Sequence, residues 1–421
     1  MTVDREPQPN HGPGLATILA LSACAFCVLG SYAIARPSMK ALLLQHYGKE
    51  ALPYAWLLVA LGVTVTVSVY SRFAARMELR RLYRWAVVWT CVTLCFALSL
   101  YHAGFEWAVF LLFVWKDIYI VLLIEMFWTC ANSIFQLKTA KWLYGVFLSV
   151  GTLGGITANL SVGELARTLG VGHAPWLVLP MLFFTAVLIS GLPEVRPERS
   201  ADESKASFHA GFALVWRSRY LMAILGIIAS IQLALNLVDF QLSAMVEASH
   251  VTAAGKTAEF GRIYGMIDGA ALTMQLGGGV LITVLGVSGV LVSAPIVLLV
   301  TLSCFIFMPT LGLISVAFIA GKSMDYSVYR TAKEALYLPL AQRERALGKA
   351  VIDIMVYRVA KAGAAIFLLA LSWLGDLSAS TAVIGGLAVA AVSAWLFFAL
   401  RVLPIYGQKT NEQRDEAVGE A

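Results

Sequence analysis

Six charged residues lie inside two adjacent hydrophobic segments in the last third of the chain. They are Lys322, Asp325, Arg330, Asp353, Arg358 and Lys361. A charge inside a bilayer is costly, so such residues usually face a polar cavity and pair with one another. At about 100° per residue, three of these charges form two helical stripes together with nearby polar residues. The stripes are Lys322-Tyr326-Tyr329-Lys333 and Asp353-Tyr357-Lys361. We interpret them as part of the lining of a transport pathway.

A third polar stripe lies in a hydrophobic segment of the first half. The members Asp117, Glu125, Trp128 and Asn132 fall within an arc of roughly 80° at 100° per residue. Lys116 is adjacent to Asp117 and could neutralise it. Three more segments each place polar side chains on one face. Their members are Tyr32-Arg36-Lys40, Gln232-Asn236-Asp239 and Tyr264-Asp268-Gln275. The predicted substrate-binding set therefore also includes Arg36, Lys40, Lys116, Asp117, Glu125 and Asn132.

Each of these residues also has a structural interpretation. Arg36, Lys40, Asp239 and Asp268 could lie near the membrane interface, where long side chains reach water. The deeper charges could form buried salt bridges without any substrate, and Gln232 or Asn236 could join neighbouring helices by hydrogen bonds. We favour a functional interpretation for the deeper charges because of their predicted depth.

The composition indicates a protein that lies mostly in lipid. The 421 residues are 59% hydrophobic and 13% charged, with a mean hydropathy of +0.78, whereas soluble domains are about 25% charged. The length suits about a dozen spans of roughly 20 residues. The net charge of +6 is explained by cations in loops on one side, so we predict no nucleic-acid partner, only the bilayer and a small-molecule substrate.

Hydrophobic runs predict an all-α fold of twelve transmembrane helices in two six-helix halves. The expected helices cover 15–35, 53–71, 85–103, 107–130, 143–163, 175–192, 220–240, 263–285, 289–309, 311–332, 351–374 and 381–402. The longest polar stretch divides the chain into an N-terminal half at 1–192, a cytoplasmic loop at 193–219, a C-terminal half at 220–403 and a tail at 404–421. Glycines at 151, 154 and 155 and in the run 277–279 are expected to allow close helix packing.

The distribution of Lys and Arg predicts the orientation. Of the 31 such residues, about twenty fall in segments on the side of the N-terminus and about six, including Arg36 and Lys40, in loops on the other side. Positive charges favour the cytoplasmic side. The sequence therefore predicts a multi-pass protein of a bacterial-type inner membrane with both termini in the cytoplasm.

Motifs for enzyme chemistry are missing from the sequence. It contains no P-loop, no G-x-S-x-G, no H-E-x-x-H and no EF-hand loop. The six histidines fall in tails, loops or helix ends, and the six cysteines lie in or beside apolar segments. We therefore predict neither an enzyme, a metal site nor a cofactor. Because each chain could form a complete pathway, a monomer is expected.

Several segments resemble the bacterial and plastid ATP/ADP translocases and their shorter bacterial homologues, which are related to the major facilitator fold. The segments are Arg36-Pro37 with Ala41-Leu42, Tyr47-Gly48 before Ala51-Leu52-Pro53, Glu125-Met-Phe-Trp-Thr-Cys-Ala-Asn132, Ala140-Lys141 with Gly145, Gly151, Gly154 and Gly155, and Lys333-Glu-Ala-Leu-Tyr-Leu-Pro339 followed by Lys349, Ile352-Asp353 and Arg358.

The resemblance implies nucleotide exchange, in which cationic side chains bind phosphates and carboxylates set the charge balance. Lys and Arg suit phosphate oxygens chemically. The cations that it implies for this role are Arg36, Lys40, Lys116, Lys322, Arg330 and Arg358.

The sequence thus predicts a secondary transporter that works by alternating access on an anionic, phosphorylated metabolite, with a nucleotide as the first choice. One alternative is proton-coupled transport of another solute, in which Asp117, Glu125, Asp239 and Asp268 would carry protons. Another is a membrane sensor or assembly protein that keeps the transporter fold and moves no solute.

Overall fold

The structure is a computed structural model that describes residues 14–74, 77–135, 137–192, 204–374 and 381–419. These residues are helical with no strand. The helices are α1 Leu15–Tyr47, α2 Ala51–Ala74, α3 Leu79–His102, α4 Ala108–Ile134, α5 Leu137–Thr168, a 3₁₀ turn Ala174–Leu177, α6 Val178–Ser190, α7 Ser204–Arg217, α8 Arg219–Ser249, α9 Ala253–Leu276, α10 Gly278–Phe307, α11 Leu311–Tyr326, α12 Val328–Ala335, α13 Gln342–Leu374 and α14 Thr381–Gly419.

Local sequence explains where several of these helices begin. Ser218, Thr252 and Thr310 precede α8, α9 and α11, and each side chain accepts a hydrogen bond from a backbone N–H in the first turn. Such caps satisfy one of the donors that a helix start leaves unpaired. Gly48 follows α1 with a φ of 71°, a conformation that glycine adopts without a steric cost.

Seven helices in the described part of the chain are long and apolar enough to cross a membrane: α1, α2, α3, α5, α8, α10 and α14. Two shorter apolar segments cover Ala174–Ser190 and Val359–Trp373. The protein is therefore a multi-pass helical membrane protein.

Two apolar clusters organise the bundle. One is built mainly from α1, α3, α4, α5 and α6, and the other mainly from α8 to α14 with part of α2. Helix α1 contributes to both clusters, because Leu21 to Met39 supply residues to the first and Leu42 to Leu44 to the second. We refer to α1–α6 and α8–α14 as the two helix groups. They also meet where α9 packs against α1 and α5 and where α13 packs against α2. Between these contacts lie the cavities described below.

Several predicted helix boundaries are wrong. The last span was expected to end at 402, for example, but α14 continues to Gly419. Helix α1 does not end at 35 but continues through Pro37 to Tyr47, because the apolar residues after Pro37 are buried in the second cluster. Arg36 and Lys40 are thus inside a helix rather than in an outer loop. The eighth span was expected at 263–285, but α9 covers Ala253–Leu276 and α10 begins at Gly278. The break expected between 285 and 289 is present as a non-helical kink at Gly286.

A further correction concerns the tenth predicted span, 311–332. It breaks at Ser327, whose backbone angles (φ −121°, ψ −110°) are not helical, and gives α11 and α12. The break separates the two halves of the predicted stripe from Lys322 to Lys333. The predicted central loop also contains a helix, α7, that packs against α13.

The prediction for glycines is confirmed in one place and wrong in the other. A Cβ at Gly154 would lie 2.4 Å from the carbonyl oxygen of Phe26 in α1, and one at Gly151 would lie 2.7 Å from Leu29. These glycines therefore let α1 and α5 approach closely. At Gly278 and Gly279 a Cβ would meet nothing within 4 Å. That run separates α9 from α10 and does not serve helix packing.

We expect Gly154→Ala to destabilise the protein by about 1–3 kcal/mol, the usual cost of overpacking a filled core. Gly145→Ala is the matched control, since it changes the same helix at a position where a Cβ would meet nothing within 4 Å. The measurement is the thermal unfolding midpoint of the purified protein in detergent. Equal midpoints for the two variants would contradict the packing argument.

Candidate functional site

A charged chamber of about 170 Å³ lies between the two helix groups. Its charged lining consists of five cations and two carboxylates. They are Arg36, Lys40, Lys116, Lys322, Lys361, Asp117 and Asp239. Aromatic side chains from α1, α2, α4, α9 and α11, together with Asn236 of α8, complete the wall. The chamber therefore offers more positive than negative charge to a bound solute.

Asp117 lies between two lysines. Its Oδ1 accepts a hydrogen bond from Lys116 Nζ at 2.9 Å, and its Oδ2 accepts one from Lys361 Nζ at 3.1 Å. The hydroxyl of Tyr32 also donates to Oδ1 at 3.4 Å. Lys116 is further held 3.7 Å from the centroid of the Phe113 ring. One carboxylate thus holds two ammonium groups, one on α4 and one on α13.

A second ion pair joins α1 to α8. Lys40 Nζ lies 2.6 Å from Asp239 Oδ1 and 3.4 Å from the hydroxyl of Tyr264. Only 3% of Lys40 is exposed, so the interface interpretation of this residue is wrong. It is buried because α1 continues past Pro37 and carries Lys40 into the chamber wall.

Two chamber cations have no carboxylate oxygen within 4 Å among the described residues. The guanidinium of Arg36 lies 3.6 Å from the centroid of the Tyr264 ring, a cation–π contact. Lys322 Nζ lies 5.6 Å from the centroid of the Tyr326 ring. These two charges are available to an anion without the loss of an existing salt bridge.

A vestibule of about 730 Å³ adjoins the chamber and shares Asp117, Lys322 and Lys361 with it. It extends to Lys333 and Glu334 near the end of α12, where Glu334 pairs with Lys349 Nζ at 2.6 Å. Asp325 and Arg330, both predicted site residues, line the vestibule. Asp325 is 7% exposed, and its Oδ1 has no hydrogen-bond partner in the described structure.

Contacts between the helix groups occupy the opposite end of the chamber. Lys256 Nζ on α9 donates to Gln45 Oε1 on α1 at 2.8 Å, and the backbone N–H of Lys49 donates to Glu247 at 2.9 Å. Gly163 of α5 and Gly261 of α9 lie so close to the facing helix that a Cβ on either would clash. These contacts close this end of the chamber, and the vestibule adjoins the chamber on the side of α12.

A side pocket of about 320 Å³ lies between α1, α4, α5 and α9. Its lining is mostly apolar, with Asp268 and Asn159 on one wall, and it also includes the cations Arg36 and Arg330. Asp268 Oδ2 accepts a hydrogen bond from Asn159 Nδ2 at 2.9 Å. Tyr32 and Arg36 line both this pocket and the chamber, so the two spaces are neighbours.

The structure brings together part of the predicted substrate-binding set. Arg36, Lys40, Lys116, Asp117, Lys322 and Lys361 line the chamber, and Asp325 and Arg330 the vestibule. Their role in binding stays a prediction. The side chains of Asp353 and Arg358 lie outside the described part of the structure.

Other predicted members lie away from these spaces. Glu125 is exposed at the surface and lines neither the chamber, the vestibule nor the side pocket. Asn132 is also exposed, and its Oδ1 accepts a hydrogen bond from Tyr144. The predicted stripe on α4 covers an arc of about 80°. Side chains in so wide an arc can face different surroundings, so Asp117 lines the chamber whereas Glu125 and Asn132 do not. Tyr329 is buried against Trp395 instead, because the break at Ser327 rotates it out of the predicted stripe.

The coupling candidates have different surroundings. Asp117 and Asp239 are paired with lysines, whereas Asp268 is bonded to an amide. Asn159 was missed as a partner of Asp268, although an amide in an apolar helix is itself a signal of an interhelical hydrogen bond.

Comparisons with known proteins agree with this architecture. A family model described as the TLC ATP/ADP transporter matches residues 187–405, just over half of the chain. The chain is 21% identical to ADP,ATP carrier protein 1 of Chlamydia pneumoniae over 502 residues, covering 98% of this chain and 95% of that protein. It is 22% identical to ADP,ATP carrier protein 5 of Rickettsia felis over 435 residues, covering 84% and 86%.

Among solved structures, the fold is similar to that of a mutant of the nucleoside transporter NupG, with a TM-score of 0.69 at 12% identity and coverage of 92% of this chain and 99% of that one. It is also similar to a bacterial homologue of the iron transporter ferroportin in an inward-facing state, with a TM-score of 0.67 at 14% identity and coverage of 93% and 99%. The chain thus shares its fold with these transporter structures, and the match of the family model shows that it belongs to the TLC ATP/ADP transporter family.

Proposed function

We propose that this membrane transporter exchanges nucleotides, of the ATP and ADP type, by alternating access through the charged chamber. The observation that carries the proposal is the chamber lining, in which five cations face two carboxylates. Lys and Arg bind phosphate oxygens by charge-assisted hydrogen bonds. The curated relatives, which are named as ADP,ATP carriers, support a nucleotide as the source of that phosphate.

The ion pairs suggest why the process would be an exchange. Without substrate, Asp117 neutralises part of the charge of Lys116 and Lys361. A phosphate would compete with Asp117 for these lysines. It would also neutralise Arg36 and Lys322, for which the described residues supply no carboxylate within 4 Å. Without substrate, the chamber keeps an excess of buried positive charge. The empty transporter can therefore change between its outward-facing and inward-facing states only at a high energetic cost. A bound nucleotide removes that cost, so each change of state would carry a nucleotide across the membrane.

The proposal includes a topology of twelve spans in two six-helix halves. Nine spans correspond to the apolar segments of α1, α2, α3, α5, α6, α8, α10, α13 and α14, and α4, α9 and the α11–α12 pair would supply the other three. The halves would be residues 1–192 and 220–403, on either side of a cytoplasmic segment 193–219. We place both termini in the cytoplasm of a bacterial inner membrane and expect a monomer. The vestibule, which extends to Lys333 and Glu334 of α12, would then lie on the cytoplasmic side of the chamber.

The first test is thermal stabilisation of the purified protein by ADP, ATP, pyrophosphate and adenosine, followed by counter-flow in liposomes. A ligand that binds the folded state raises its apparent stability by mass action, by about 2.7 kcal/mol at a hundred times its Kd. We expect ADP and ATP to stabilise the protein and adenosine, which lacks phosphate, to do so less. Labelled ADP should enter liposomes only when they contain unlabelled nucleotide. Uptake into empty liposomes at the same rate would contradict exchange.

A second candidate function is proton-coupled transport, and Asp268 is the observation in its favour. Its carboxylate faces a mostly apolar pocket and has no cation within 4 Å among the described residues. An intramembrane carboxylate in such a position can carry a proton. Dependence of solute uptake on a pH gradient, lost in Asp268→Asn, would favour this function over exchange.

A further inference from the structure

The chamber is large enough for only part of a nucleotide. Its volume is about 170 Å³, whereas ligand pockets usually have about 300–1,000 Å³, and the adjoining vestibule has about 730 Å³. Five cations face two carboxylates in the chamber. The charged residues that line the vestibule alone are two cations and two carboxylates, namely Asp325, Arg330, Lys333 and Glu334. This distribution of charge favours the chamber for the phosphates and the vestibule for the uncharged sugar and base.

Two carboxamides of α8 line the vestibule without a hydrogen bond. They belong to Gln232 and Asn236, and Asn236 lines the chamber as well. Gln232 is only 7% exposed, yet neither amide is bonded to another residue in the part of the chain that the structure describes. In that part the two amides therefore do not join neighbouring helices, which was their structural interpretation. Because buried polar groups are nearly always hydrogen-bonded, amides left open beside a cavity indicate contacts with a ligand.

The residues that follow the chamber residues on α2, α4 and α8 form two levels of the vestibule wall. The chamber residues of these helices are Trp56, Asp117 and Asp239. Three positions further into the vestibule are Val59, Ile120 and Asn236. Seven positions further are Val63, Ile124 and Gln232. A helix rises 1.5 Å per residue, so the two levels lie about 5 Å and about 10 Å from the chamber residues. Each level combines one amide with two apolar side chains, a mixture that is typical of ligand pockets.

We propose that the vestibule binds the sugar and base of the nucleotide along α8, with the carboxamide of Asn236 on a sugar hydroxyl and that of Gln232 on the edge of the base. A carboxamide has a donor and an acceptor side by side. It pairs with the edge of adenine, where the amino group donates and the neighbouring ring nitrogen accepts. The apolar side chains of α2 and α4 cover the face of the base. This inference rests on the proposed function and names the site for the part of the substrate that lies outside the chamber.

Titration calorimetry of the purified full-length protein in detergent, with ADP and with pyrophosphate, tests this proposal. Gln232→Leu keeps the approximate size of the side chain and removes its donor and its acceptor. We expect it to weaken ADP binding about 5- to 150-fold, the range for a carboxamide that pairs with a base through two hydrogen bonds. Pyrophosphate binding should stay unchanged, because the phosphate site in the chamber is intact.

The matched control is Gln241→Leu, which makes the same change on the same helix. Gln241 is 3% exposed, and its Nε2 donates to the carbonyl oxygen of Thr381 at 2.8 Å. It lines neither the chamber, the vestibule nor the side pocket. We expect this variant to have a lower unfolding temperature and an unchanged ratio of ADP affinity to pyrophosphate affinity.

An ADP analogue with purine in place of adenine provides a second readout that loss of folded protein could not imitate. The analogue lacks only the exocyclic amino group. The wild type should bind it about 2- to 12-fold more weakly than ADP, the effect of one hydrogen bond between neutral groups. Gln232→Leu should bind the two ligands equally, because the partner of the amino group is gone. Asn236→Leu should weaken both ligands alike and keep the preference for ADP.

The outcomes separate this proposal from the proposed function. If the wild type binds neither ADP nor pyrophosphate, nucleotide exchange itself is wrong and the base site is wrong with it. If ADP binds and Gln232→Leu changes neither its affinity nor its preference over the purine analogue, exchange stands and this base site is wrong. Equal losses of ADP and pyrophosphate binding in Gln232→Leu would also overturn it. Should Gln232→Leu not fold, equal binding of ADP and the analogue by the wild type would overturn it as well.

Discussion

Lys361→Gln is expected to weaken ADP binding about 10- to 100-fold and to slow exchange by a similar factor. A charge-assisted hydrogen bond is worth about 1.5–3 kcal/mol, and Lys361 is one of five cations that line the chamber. The variant should fold, because Asp117 keeps its bond to Lys116 at 2.9 Å. Changing both lysines would instead leave Asp117 without a cation, so the single variant is the better test. Affinity is measured by titration in detergent and exchange by counter-flow in liposomes.

The control for this prediction is Arg401→Gln. Arg401 is on α14, where its guanidinium lies 5.0 Å from the centroid of the Phe397 ring, and it lines neither the chamber nor the vestibule. We expect this loss of a charge to leave ADP binding unchanged. An equal loss of affinity in the two variants would contradict the assignment of Lys361 to the site.

Asp117→Asn should act in the opposite direction on affinity. The change removes the anion that competes with phosphate for Lys116 and Lys361, so ADP is expected to bind more tightly than it does to the wild type. Exchange should nevertheless slow, because a more tightly held ligand leaves more slowly. Weaker ADP binding in a folded Asp117→Asn protein would show that Asp117 does not compete with the substrate.

The second large effect is expected at the ion pair between Lys40 and Asp239. Asp239→Asn should destabilise the protein by about 3–5 kcal/mol, the usual cost of leaving a buried charge without its partner. The pair has an Nζ–Oδ1 distance of 2.6 Å, and the side-chain exposures of Lys40 and Asp239 are 4% and 20%. Because it joins α1 to α8, the loss should also loosen contact between the helix groups. Thermal unfolding in detergent gives the stability.

A charge exchange tests whether the pairing itself matters. The double variant with Lys40→Asp and Asp239→Lys keeps the net charge and can reform the pair with its polarity reversed. We expect it to recover part of the stability lost in Asp239→Asn, although the contacts of Lys40 with Tyr264 and Phe260 would be lost. If the double variant is less stable than Lys40→Asp alone and less stable than Asp239→Lys alone, these side chains are not coupled as a pair.

The sequence determined the class of protein and much of its helical order. A charged fraction of 13% and a mean hydropathy of +0.78 require a lipid environment, and the hydrophobic runs located the helices. Residues adjacent in the chain were also predictable partners, since Lys116 was expected to neutralise Asp117 and does so. The motifs that resemble the ATP/ADP translocases, such as Lys333 to Pro339, were sufficient to identify the family.

Only the tertiary structure decided which distant charges meet. Lys361 and Asp117 are 244 residues apart, and Lys40 and Asp239 are 199 apart. Helical periodicity gives the face of a helix on which a side chain lies, but it does not give the helix that packs against that face. The sequence also did not show where α1 ends. Burial of the residues after Pro37 keeps α1 helical to Tyr47, and Lys40 therefore lies in the chamber wall. Periodicity was also too coarse to separate Asp117, which faces the chamber, from Glu125, which does not. Those differences depend on packing between segments far apart in sequence, and that packing is settled only when the whole bundle assembles.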